Sequence, residues 1–295
     1  MIQSMTGYGS ATGPLSENAP RGTLNIELRS VNARFLDLQF RVSDELRSLE
    51  PVLRELIAAR VSRGKLDCRA FLNEAAVAPG ARIDGEALAR LTALSAEVLK
   101  KMPQAAPMRV ADVLRWPGVI AESPLDEEET RRIATALCRK ALDEFVASRG
   151  REGAKLASAV AERVAGMRAR LEQAAPLVPQ AVAAYQAKLT ERLREAIGSS
   201  VGSALDERVR AELTVFATKV DVDEELTRLR AHLDEVERSL KKGGAVGKRL
   251  DFLAQELNRE ANTLASKAAS AELSDCALEL KLLIEQMREQ VQNIE

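Results

Sequence analysis

Aromatic residues are scarce in this chain: Trp 1, Tyr 2 and Phe 6 make up 3% of its 295 positions. Large sandwiches and barrels draw on aromatic and β-branched residues, so the shortage favours helices packed through Leu, Val and Ala. Charge of neither sign is in excess. Lys+Arg 43 against Asp+Glu 44 leaves a formal charge of −1, which excludes a protein coated in positive charge and confines any nucleic-acid contact to a local patch or a cavity. The three cysteines, Cys68, Cys138 and Cys276, are odd in number, far apart and without a CxxC pair. They read as small apolar residues of a reduced, cytoplasmic chain, not as a disulfide framework or a zinc site. No apolar run is long enough to span a bilayer, and the start, MIQSMTGYGSATG, lacks the basic residues and apolar stretch of a signal peptide. Neither secretion nor membrane insertion is expected. Walker A, GxGxxG, GxSxG and HExxH patterns are missing too, which removes support for P-loop nucleotide hydrolysis and serine-type acyl transfer.

What is present changes period along the chain. Thr23, Asn25, Glu27 and Arg29 alternate with Leu24, Ile26 and Leu28, and Asp37, Gln39 and Arg41 alternate with Leu36, Leu38, Phe40 and Val42. A period of two predicts half-buried strands. Ser43 and Asp44 predict a capped helix to about Ser62, after which Arg63-Gly64-Lys65 turns into a third alternating stretch. With the segment around Met5 to Tyr8 this makes a small sheet backed by a helix. Past Pro79-Gly80 helical spacing takes over, over residues 84–101, briefly at 108–114, and then from 125 to about 171, where Gly150 and Gly153 offer places to bend. Pro176 and Pro179 precede a helix to about Ile197, a linker follows at 198–203, and three more helices are separated at Gly243-Gly244 and near Ser270. The expected fold is α+β without internal repeats. It comprises a sheet domain at 1–80, a helical middle region at 81–204 and a C-terminal helical domain at 205–295.

The last three helices carry most of the chemical information, because polar residues that packing does not require recur beside their apolar stripes. At about 100° per residue, Asp221, Glu225, Arg228 and His232 share one margin of the first helix. In the second, Glu256, Glu260, Thr263 and Lys267 line one margin and Asp251, Gln255, Asn258 and Asn262 the other. Lys281, Glu285, Arg288 and Gln292 share a flank of the third, with Glu289 just beyond. Margins meet neighbouring helices, so carboxylates from two or three helices with one imidazole would form an oxygen-rich site suited to Mg²⁺ or Mn²⁺. The same residues also read as i,i+4 ion pairs at core edges, and His232 as a packed, hydrogen-bonded side chain. One inference is firmer: a subunit with a single histidine cannot supply the imidazole pair that cleaves RNA without metal. Phosphodiester chemistry here would lean on metal ions and carboxylates.

In the N-terminal part, Met5-Thr6-Gly7-Tyr8-Gly9 places glycines where backbone must turn or approach something closely. Arg29, Arg34, Arg41, Arg63, Lys65 and Arg69 would form a basic face on the sheet, fit for a phosphate backbone. With Glu27, Asp37 and Asp67 the same face reads as solvated and of mixed charge.

Taken together, MTGYG, ELRSVNARFLDLQFR, VSRGKLD, the stretch from Asp221 to His232, LDFLAQELNREANTLASKA and the final REQVQNIE resemble the YicC family of bacterial proteins over almost the whole chain. The resemblance implies an endoribonuclease that depends on a divalent cation, Mn²⁺ or Mg²⁺, takes part in RNA turnover and works as a homo-oligomer, a hexamer enclosing a space for RNA. Many of the family's characteristic polar residues then fall on the margins described above, with Glu224, Lys248, Arg259, Gln290, Asn293 and Glu295 beside them. Ala261 and Leu264 replace expected isoleucines, an apolar change that touches no candidate ligand.

The expectation is therefore a metal-dependent RNA-cleaving enzyme. Glu225, His232, Glu256, Glu260, Glu285 and Glu289 would hold the cation, and His232, Glu256, Glu260 and Asp251 would serve catalysis. Arg29, Arg34, Arg63, Lys65, Arg228, Arg259, Lys267 and Arg288 would contact RNA. The competing expectation is a non-catalytic RNA-binding adaptor that delivers RNA to other RNA-decay enzymes, and a third is a structural oligomer with REQVQNIE docked into an interface.

Overall fold

The computed structural model describes residues 1–15, 22–33, 35–74, 82–121, 126–197 and 203–295. Its fold is α+β, and it forms two compact units, one of residues 8–146 and one of residues 1–7 with 147–295. None of its described helices is long and apolar enough to cross a membrane.

In the first unit, strands β1 (Gly7–Pro14), β2 (Gly22–Val31), β3 (Leu36–Val42) and β4 (Gly64–Glu74) form a sheet of order β1-β2-β4-β3. β2 runs antiparallel to β4 and β3 parallel to it. A parallel pair needs a crossover, here a 3-10 turn at Asp44–Leu49 followed by α1 (Glu50–Ala58). The expected side-chain cap at Ser43 does not form. Its N–H instead donates to the Ala70 carbonyl at 3.1 Å, which ties this residue to β4. The inner sheet face, with Leu24, Ile26, Leu28, Leu66 and Cys68, packs on Leu53 and Ile57 of α1 and on Ala141, Leu142 and Phe145 of the long helix α4 (Glu127–Ala174). Burial pushes the Cys68 thiol up strongly and the Cys138 thiol up to about 11, so both behave as small apolar residues.

The close approach expected of the N-terminal glycines is found at Gly9. A Cβ there would run into the Ala141 carbonyl and lie 2.9 Å from Phe145 Cα, both on α4. Backbone cannot yield as a side-chain tip can. Gly9→Ala is thus expected to destabilise this unit by about 3 kcal/mol or more, read as a lower urea midpoint. An unchanged midpoint would mean that β1 does not need this contact.

Beyond the sheet, a ribbon of β5 (Arg82–Ile83) and β6 (Ile120–Ala121) brackets α2 (Gly85–Lys101) and α3 (Val110–Arg115). Asp84 caps α2 by accepting from the N–H groups of Glu86 at 2.9 Å and Ala87 at 2.8 Å.

The second unit contains the rest of α4 with α5 (Leu177–Ile197), α6 (Ser203–Val220), α7 (Asp223–Lys242), α8 (Gly247–Lys267) and α9 (Ala271–Val291). Helix α4 continues through Gly150 and Gly153; Gly153 instead makes room for the Ile2 carbonyl, whose carbon a Cβ would meet at 2.7 Å. Helix α6 pairs with α5, where the Tyr185 and Phe216 rings stack at 3.8 Å. Most of the expected linker at 198–203 lies outside the described residues. The core joins Val160, Val164 and Leu171 of α4 to the predicted stripes, Leu226, Leu229 and Leu233 on α7, Leu250, Leu253 and Leu257 on α8, and Leu280, Ile284 and Met287 on α9. Each such side chain stabilises the fold by roughly 1.5–3 kcal/mol on burial.

The REQVQNIE segment closes this unit onto the first residues of the same chain. Met5 N–H donates to the Asn293 carbonyl at 2.8 Å, Glu295 N–H to Gln3 at 3.0 Å, and Val246 and Gly247 N–H to Glu295 at 3.0 and 3.2 Å. Arg149, only 3% exposed, donates from Nε to the Ser4 carbonyl at 2.6 Å and pairs with the Glu295 side chain.

Candidate functional site

The apolar stripes of α7 and α8 face the core, which brings their polar margins edge to edge. Three ion pairs join those margins: Glu225 Oε1 with Lys267 Nζ at 2.8 Å, Glu260 Oε1 with Arg228 Nη1 at 3.4 Å, and Glu235 Oε1 with Arg249 Nη2 at 2.9 Å. Ascending numbers on α7 meet descending numbers on α8, so the helices run antiparallel. His232 and Glu256 occupy the register between the second and third pairs. Both are half-buried, and neither makes a hydrogen bond or ion pair among the described residues.

Two members of this margin are unusually buried for carboxylates. Glu225 is 6% exposed and Glu260 4%. Buried charge is costly unless paired and hydrogen-bonded. Lys267 satisfies Glu225 Oε1, whereas Glu225 Oε2 has no hydrogen-bond partner among the described residues. The position of Glu225 in the first turn of α7 lets the helix dipole favour its negative charge. Arg228 also pairs with Glu224 one turn earlier, and the charge of Glu224 is first among the causes that hold the guanidinium above its usual pKa.

The opposite margin of α8 faces α9. There Arg288 lies 3.6 Å from Asp251 and 3.7 Å from Glu285, Asn258 Nδ2 donates to Glu285 at 3.3 Å, and Gln255 donates to Asp251 at 2.9 Å. The expected ligands are therefore divided. Glu225, His232, Glu256 and Glu260 share the α7–α8 margin, Asp251 and Glu285 share the α8–α9 margin, and Glu289 is exposed. Because α8 lies between its two neighbours, its margins open to different sides and the carboxylates of three helices do not converge. No three His, Cys, Asp or Glu among the described residues stand together as a metal site.

The expected RNA contacts divide in the same way. Arg228, Lys267 and Arg288 are engaged by carboxylates, while Arg259 is exposed and without an ion pair among the described residues. Arg29 and Lys65 are exposed on the sheet, Arg63 is half-buried, and Arg34 lies outside the described residues.

Two family models match the chain, described as Endoribonuclease YicC-like, N-terminal region, over residues 2–158, and Endoribonuclease YicC-like, C-terminal, over residues 174–295. The chain belongs to the endoribonuclease YicC-like family. It is 36% identical over 296 residues to a protein named probable endoribonuclease YicC from Haemophilus influenzae, with 100% of both chains covered. It is 28% identical over 301 residues to one of the same name from Clostridioides difficile, again covering 100% of both. The C-terminal YicC-like model takes in α7, α8 and α9, and with them both polar margins. The sheet falls within the N-terminal one. Arg149 escaped the sequence reading because its partners, Ser4 and Glu295, lie 145 and 146 positions away. The only local hint is its setting beside Gly150 and Gly153, in a helix crowded by another chain segment.

Proposed function

We propose that this YicC-like chain is an endoribonuclease that hydrolyses internal RNA phosphodiester bonds at the α7–α8 margin, with a divalent cation and as a homo-oligomer. The relatives' names support the reaction class. The observation that carries the site is Glu225, a buried carboxylate with one oxygen held by Lys267 and the other without a partner among the described residues. Mg²⁺ and Mn²⁺ suit such a site, because Mg²⁺ commonly takes one or two carboxylates and fills its other positions with water and phosphate oxygens. Glu225 and Glu260 would hold the cation, the remaining oxygens coming from RNA or from a second copy of the chain. Bound there, it would activate water and neutralise charge developing on the phosphate.

The chain's own residues do the positioning. Lys267 fixes the Glu225 carboxylate, and Arg228 orients Glu260 while offering the rest of its guanidinium to a phosphate. His232 and Glu256, one turn along and unpaired, are placed to accept or return a proton. Arg259 adds an exposed cation for the RNA backbone. The homo-oligomer is supported by Phe252 on α8 and Leu278 and Leu282 on α9, large apolar side chains that are 53%, 65% and 58% exposed and that a second subunit would cover.

Labelled single-stranded RNA incubated with the purified chain tests this. Internal cuts are expected with Mn²⁺ or Mg²⁺ and none with EDTA. His232→Ala and Glu256→Gln should lose the cuts while RNA binding and oligomer persist. A stable mobility shift without cuts under every cation condition would contradict the enzyme and favour the adaptor.

A further inference from the structure

We infer that the open face of the N-terminal sheet is a base-stacking platform for single-stranded RNA, with Tyr8 and Phe71 as its rings. The inference rests on RNA being the ligand of this chain, and adds the strandedness it selects and the residues that select it. On β1, Gly9 packs against α4 and Gly13 against Leu137, so Tyr8 projects from the other face, 48% exposed. On β4, Ala70 and Leu72 pack with the core, so Phe71 between them belongs to that same outer face. Packing does not require rings there, and the chain has few to spend. Tyr8 is exposed and Phe71 half-buried, and rings on an open sheet face stack bases readily, because every base has a π-face.

A polar atom beside the rings points the same way. Asn25 stands directly opposite Phe71 in the β2–β4 register, and its Oδ1 is buried with no hydrogen-bond partner among the described residues. Buried polar atoms of this kind are normally satisfied; the N–H groups of a base edge would do so. Charge on the face also suits a polyanion. Asp67 draws in Arg41 at 3.6 Å and Arg69 at 3.3 Å. Arg29, although opposite Asp67 in register, and Lys65 make no ion pair among the described residues. They are left to meet phosphates of a bound strand.

The test uses the full chain in EDTA, so that RNA is not cut. Fluorescence anisotropy would compare a labelled single-stranded oligonucleotide with a duplex of the same length, and inorganic polyphosphate would serve as a competitor without bases. Tyr8→Leu and Phe71→Leu should each weaken single-strand binding roughly tenfold or more. Duplex affinity and polyphosphate competition should stay at wild-type levels. Melting temperatures identify any loss of fold, and Tyr8, being exposed, carries the comparison if Phe71→Leu is unstable. Unchanged single-strand affinity in folded Tyr8→Leu would overturn the platform, as would an equal loss toward polyphosphate. Failure of the cleavage reading looks different: wild-type chain would then bind single strands through these rings yet leave them uncut when cation is added.

Discussion

Glu225→Gln is expected to lower RNA cleavage per folded molecule by on the order of a hundredfold or more, the usual scale for losing a ligand's support or a charge-stabilising contact at a reacting centre. Glu260→Gln should do the same. On the other side of α8, Asp251→Asn and Glu285→Gln should leave cleavage within a few-fold of wild type, since Arg288 and Asn258 hold those carboxylates away from the α7–α8 margin. The amide also leaves the Lys267 ammonium, 33% exposed, without its partner. That costs about 1 kcal/mol, less than in a dry interior because water reaches the lysine. Activity must therefore be divided by the folded fraction from a urea titration. Cleavage that falls only in step with the folded fraction would reduce the Glu225 and Lys267 pair to a structural one.

Arg149→Met should destabilise the unit of residues 1–7 and 147–295 by about 3–5 kcal/mol, because it leaves the Glu295 carboxylate partly buried without its cation. The Ser4 carbonyl loses its side-chain donor in the same step, while keeping the backbone pairing around it. Hydrogen exchange should localise the effect, with the Met5 and Glu295 N–H groups, which bond to Asn293 and Gln3, opening before the core of α8. A loss below about 1 kcal/mol, the scale of an exposed pair, would show that the two chain segments are held by backbone pairing alone.

Helical spacing made the stripes of α7, α8 and α9 legible, since it dictates which side chains can pack: Leu229, Leu257 and Ile284 are buried where a period of 3.6 puts them. It also placed Glu225 and Glu260 correctly beside those stripes. What spacing lacks is the identity of the neighbour that each margin meets. Asp251 and Glu256 lie five positions apart on one helix, yet one faces α9 and the other α7, and only the antiparallel register reveals it. The sheet was legible for the same reason, as Leu24, Ile26 and Leu28 alternate with solvent-facing partners. Strands β5 and β6, of two residues each, are too short to show a period. Residues 1–7 carry no signal that they join a unit whose other members begin at residue 147, because such pairing depends on contacts distant in sequence.

Mn²⁺ binding, followed by electron paramagnetic resonance on the full chain and its variants, tests the placement of the site most directly. The α7–α8 assignment predicts saturable binding that is lost in Glu225→Gln and Glu260→Gln and retained in Asp251→Asn and Glu285→Gln. Binding that survives in folded Glu225→Gln but disappears in Glu285→Gln would contradict it and move the chemistry to the α8–α9 margin.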